Sequence, residues 1–186
     1  MEVFFLRNRT HTIILAALFA GLTALGAFLR IPFPPVPFTL QVLLVLLSGL
    51  LLGSRTGMAS QGVYILLGLT GLPVFAGGGG VTYILSPTFG YILAYPFAAW
   101  TAGRLSGGGN PPFSKLLLAA LTGLSVIYAF GVSGLYLNLN YVAEKDVTIF
   151  QVLRIGVIPF VIPDLLKAAG AAFFAFKIGS HRSNSS

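Results

Sequence analysis

TGMASQGVYILLGLTGLPVFAGGGGVTYILSPTFGYILAYPFAAWTAG, residues 56–103, runs for 48 residues without a single Asp, Glu, Lys, Arg or His. About 20 apolar residues, rising 1.5 Å each, cross a hydrocarbon core of about 30 Å. This one run therefore holds two membrane spans and the Gly-rich connection between them. The flanking sequence repeats the pattern. Charge is absent from 31–54 and from 116–143, and from 10–29 apart from His11.

The whole chain follows suit. Its 186 residues carry eleven basic and four acidic side chains, 8 % in all, with 56 % hydrophobic residues and a mean hydropathy of +0.91. A soluble domain has about a quarter of its residues charged. So few charges cannot cover the surface of a water-soluble globule. The composition excludes a soluble enzyme, a disordered tail and a nucleic-acid-binding domain. There is no cysteine, and the two histidines lie at opposite ends of the chain. Disulfides, thiolate sites and a metal cage are not expected, nor is a cofactor.

The apolar runs predict an all-α integral membrane protein with six spans, about 11–29, 38–53, 57–72, 88–105, 114–137 and 160–178, in a single domain with a polar tail at 180–186. Residues 147–157 read as a short helix at the membrane surface or packed across the protein. Arg7 and Arg9 ahead of an apolar run also fit a secretory leader. The run is longer than a leader core and five spans follow, so the first helix is expected to be retained. With the N-terminus inside, seven basic residues (Arg7, Arg9, Arg55, Arg104, Lys115, Lys177 and Arg182) fall inside and three (Arg30, Lys145 and Arg154) outside. That bias predicts cytoplasmic N- and C-termini in a cell membrane. It also places the stiff Ile31–Phe38 loop, with its four prolines, and the Gly-rich 71–87 loop on one outer face.

Two charges do not mark a span end. Asp164 and Lys167 sit inside the last span, three residues apart and so on one helix face. An ionisable group within a span is costly and points to function. Together they suit a polar ligand, Asp164 accepting and Lys167 donating; the alternative is a self-neutralising structural pair. Gln41, Gln61, Tyr64, Tyr83, Thr88, Tyr91 and Asn138 are weaker polar candidates. Ala16, Ala20 and Ala24, and likewise Ala94, Ala98 and Ala102, form small-residue stripes that permit close helix contact. Gly131-Val132-Ser133-Gly134 matches the GxSG of intramembrane serine proteases but lacks a histidine partner. No P-loop is present, so ATP would have to be split elsewhere.

Several segments in one order resemble a known family: Pro34-Pro35-Val36-Pro37-Phe38-Thr39-Leu40-Gln41, Gly71-Leu72-Pro73-Val74-Phe75-Ala76-Gly77-Gly78-Gly79-Gly80, Ser86-Pro87-Thr88-Phe89-Gly90-Tyr91 and the Asp164–Lys167 pair after prolines. The chain resembles BioY, the biotin-specific S component of energy-coupling-factor (ECF) transporters. The resemblance implies a six-helix S-component bundle with a biotin pocket open to the outside. It implies Asp164 and Lys167 in that pocket, and Gln41 and Thr88 are candidates to line it with them. Phe75, Tyr83 and Tyr91 would be ring contacts, and Gly77 and Gly78 part of the cover. Docking on a membrane coupling subunit would use Ala16 and Ala20, and two ABC-type ATPases would supply energy. Phe89 stands where members of the family often have glycine, which counts against a ligand role for the 86–90 backbone. The rival readings are an S component for thiamine or riboflavin, an intramembrane enzyme, and a structural membrane protein.

Overall fold

The computed structural model describes residues 2–107 and 111–184. The side chains of Arg7 and of the 180–186 tail, with His181 and Arg182, lie outside the described residues.

Helix α1 (Glu2–Phe28) is rich in Ala and Leu and turns its Ala16, Phe19, Ala20, Thr23 and Ala27 face into the bundle. A two-residue ladder follows, β1 (Arg30–Ile31) antiparallel to β2 (Phe38–Thr39), closing the proline loop between them. Helix α2 (Gln41–Leu69) is continuous by hydrogen bonding but broken at Gly53, at φ 79° and ψ 173°. Only glycine takes that backbone conformation freely. The chain reverses there into two antiparallel legs. The pairings prove it: the Gln61 amide donates to Ser48 Oγ across 3.2 Å, and the Gln41 amide to Tyr64 Oη across 2.6 Å. A Cβ on Gly57 would sit 2.9 Å from Gly49 Cα, so the legs touch backbone to backbone.

A 3₁₀ turn (Val81–Leu85) leads into α3 (Phe89–Ser106), and α4 (Phe113–Leu137) continues into a π-helical turn (Asn138–Val142). Helix α5 (Ile149–Gly156) starts on a reciprocal capping box between Thr148 and Gln151. It meets α6 (Val161–Asn184) at a bend of 55°. Glycines set the closest crossings. A Cβ on Gly134 would lie 2.6 Å from Gly90 Cα, locking α4 on α3, and one on Gly49 would collide with the Ala99 carbonyl. Ala94, Ala98 and Ala102 are buried within the same core.

Several helix ends differ from the predicted spans. Helix α1 starts at Glu2, not near 11, and α6 continues past 178, because charge ends a span but not the backbone ladder. The second leg of α2 stops at Leu69, not 72, where Gly71 takes φ 105°. By length and composition, Arg9–Phe28 and Phe113–Val142 are apolar enough to cross a membrane, as is the bent α5–α6 pair taken as one span; Gln41–Leu69 is equally apolar but is folded into its two shorter legs. The bundle's outer surface exposes large apolar side chains such as Ile14, Leu18, Leu66, Trp100, Leu118 and Phe173. A surface of this kind is solvated by lipid, and its core is sealed by small residues, as membrane bundles require.

The first leg of α2, residues 41–52, is only about 18 Å long at 1.5 Å per residue. The β1–β2 hairpin leads directly into it. Every long connection (30–39, 70–88 and 138–160) gathers at this same end, and the cavity lies beneath them.

Candidate ligand-binding site

Two helices, α6 and α4, deliver the polar floor of the cavity. Asp164 lies in the first turn of α6, where the helix dipole favours an anion. Its backbone N–H donates to the Phe160 carbonyl at 2.8 Å. Lys167, one turn on, donates from Nζ to Asp164 Oδ1 at 2.7 Å. Tyr128, from α4, donates from Oη to Asp164 Oδ2 at 2.8 Å. The side chains of Lys167 and Asp164 are 13 % and 6 % exposed, so the pair is a buried one. Each carboxylate oxygen holds one donor and keeps capacity for another. The ammonium uses one of its hydrogens here, leaving others to offer.

The walls are apolar and aromatic: Val36, Val42, Tyr91, Ile92, Tyr95 and Ile127, with Phe160 from the α5–α6 bend. Tyr91 is fixed from both sides. Its Oη donates to the Gly156 carbonyl at 2.8 Å, and its ring fills the space left by the missing side chain of Gly131. Phe160 stacks on Phe38 with centroids 4.3 Å apart, and Phe33 meets both rings edge-on. The rim is polar. Thr39 Oγ1 donates to Gln41 Oε1 at 3.2 Å, and Gln41 passes the chain to Tyr64, whose Oη donates to the Val74 carbonyl at 3.2 Å. Opposite, Tyr83 Oη accepts from the Gly77 N–H at 3.2 Å and bonds Thr88 Oγ1 at 3.1 Å. The cavity measures about 550 Å³ when the open space at its mouth is counted in.

Six of the expected ligand residues line this cavity: Asp164, Lys167, Gln41, Tyr83, Thr88 and Tyr91. Three, Phe75, Gly77 and Gly78, do not line it. Phe75 is 1 % exposed and lies behind the wall, its ring in the gap left by Gly68 and packed on Tyr64 and Tyr83. Gly78 exchanges two backbone hydrogen bonds with Phe75, which closes the glycine loop on itself. Gly77 lies in the hollow outside the mouth. Ala16 and Ala20, the expected docking residues, are 9 % and 2 % exposed. Ser133 of the GxSG match donates to the Ala129 carbonyl at 2.8 Å within its own helix, and Asn138 ties α4 to the Leu85 carbonyl at 2.6 Å. Residues missed from sequence are Tyr128, Tyr95, Phe160 and Thr39. Tyr128 carried one signal, a phenol in the middle of the charge-free 116–143 run.

An apolar-surfaced bundle, gathered loops at one end and a buried ion pair in an aromatic cavity define a class: a multi-pass membrane protein with a mostly apolar cavity at one end. The chain belongs to the BioY family, whose profile matches residues 2–184. It is 42 % identical over 173 residues to the probable biotin transporter BioY of Lysinibacillus sphaericus, covering 92 % of this chain and 88 % of that one. It is 39 % identical over 167 residues to the biotin transporter BioY of Thermotoga maritima, covering 89 % and 94 %. Its fold matches a crystal structure of the S-component for biotin from an ECF-type ABC transporter, with a TM-score of 0.78, 24 % identity and 92 % of each chain covered.

Proposed function

We propose that this chain captures biotin from outside the cell, as the substrate-binding subunit of an ECF-type transporter. The observation that carries the reading is Asp164, held by Tyr128 and Lys167 at the floor of an aromatic cavity. Biotin is an apolar fused ring with a ureido group and a valerate tail. Asp164 accepts a ureido N–H, Lys167 donates to the ureido oxygen, and the aromatic walls take the ring. The mouth faces outside, with both termini in the cytoplasm, as the basic residues Arg55, Arg104 and Lys115 at the far end favour. A membrane coupling subunit and two ABC-type ATPases of the ECF module supply the energy. The chain binds and releases its ligand without changing it chemically.

Titration of biotin, thiamine and riboflavin into the detergent-purified chain tests this. Saturable heat with biotin, and none with the other two, is the expected result. Tight binding of thiamine or riboflavin in its place moves the chain to another vitamin and overturns the assignment.

A further inference from the structure

Outside the cavity lies a wider hollow between the proline loop and residues 76–88, about 1390 Å³ with the open space before it. Pro37, Ala76, Tyr83 and Thr88 line both spaces, so the hollow is the cavity's vestibule. Arg30 is the one charged side chain on the vestibule wall. Among the described residues, the Asp164–Lys167 pair is the one salt bridge within 4.0 Å, and Arg30 has no carboxylate partner. The β1–β2 register sets Arg30 opposite Thr39. Opposed residues of an antiparallel pair share a face, with Cβ atoms about 4.5–5.5 Å apart. Thr39 lines the cavity, so the guanidinium springs from the hairpin that forms its rim.

The two ends of this route differ in charge. Asp164 already neutralises Lys167 at the floor. A ligand carboxylate placed there would meet a carboxylate of like charge. At the vestibule, the planar fork of Arg30 is unopposed and matches a carboxylate's geometry. We infer that Arg30 is a specificity-determining residue, pairing with the ligand's carboxylate in the vestibule while Asp164 and Lys167 hold the uncharged polar end. The inference rests on the biotin reading above.

The test compares biotin with its uncharged carboxamide, biotinamide, on the wild-type chain and on Arg30→Gln and Arg30→Lys variants, by equilibrium binding at low salt. The wild type is expected to prefer biotin by about two- to fivefold, the range of an exposed charge pair. Arg30→Gln should bind biotinamide as the wild type does, which shows an intact pocket, yet lose the preference. Arg30→Lys should keep most of it, and added salt should shrink it in the wild type. An undiminished preference in Arg30→Gln, or none in the wild type, overturns the role of Arg30 and leaves the biotin reading standing. Loss of both ligands in Arg30→Gln also overturns it, by making the residue structural. A wild type that binds neither ligand overturns the biotin reading and this inference with it.

Discussion

Removing the Asp164–Lys167 pair one member at a time, and then both together, separates its structural from its ligand-binding role. Both side chains are nearly excluded from solvent, and they meet at 2.7 Å. Breaking a buried pair by deleting one partner costs about 3–5 kcal/mol, since the other charge is left desolvated. In Lys167→Met, Tyr128 still donates to Asp164. In Asp164→Asn, Lys167 has no carboxylate left within reach among the described residues. Asp164→Asn should therefore be the less stable of the two. At roughly 2–4 °C per kcal/mol for a chain of this size, each loses on the order of 10 °C in Tm. The double variant Asp164→Asn, Lys167→Met leaves no unpaired charge and should recover most of that loss. It should not recover binding. A ligand hydrogen bond to a charged group contributes about 1.5–3 kcal/mol, or about 10- to 100-fold in Kd. Thermal melts in detergent and calorimetric titration with biotin read the two effects separately. A double variant as stable as wild type that also binds biotin as tightly would refute the site assignment.

Two backbone positions give further tests. Gly53→Ala places a side chain at φ 79°, which should cost about 1–3 kcal/mol and lower Tm by several degrees while leaving the affinity for biotin intact, as melts and titration together would show. Gly131→Ala would drive a Cβ into the Tyr91 ring, and the overpacking, worth about 1–3 kcal/mol, should weaken both biotin affinity and thermal stability.

The architecture was readable where composition acts directly. Long charge-free runs marked the bundle, and the Gly53–Gly57 turn stood out between two apolar legs. Asp164 and Lys167 were legible because a charge in an apolar run has few cheap explanations. Tyr128 was not, because a tyrosine in a span also fits an interfacial belt or a helix contact, and only the α4–α6 packing brings it to Asp164. Ala16 and Ala20 show a different limit. A small-residue stripe announces close packing but not its partner, and Ala16 and Ala20 are both largely buried in this chain. The position of Phe75 was hidden for a related reason: its ring follows the vacancy at Gly68, and no local pattern links the two positions.

The pairing of Asp164 with Lys167 also governs how the site responds to voltage. A lone lysine carried across a membrane would do electrical work of about 2.3 kcal/mol per 100 mV. The ion pair has no net charge, so displacing it through the same field does almost none. A carboxylate seated against Arg30 would cancel in the same way. On the proposed charge balance, moving a loaded site across the bilayer would be electrically silent, with the membrane potential neither driving nor opposing it.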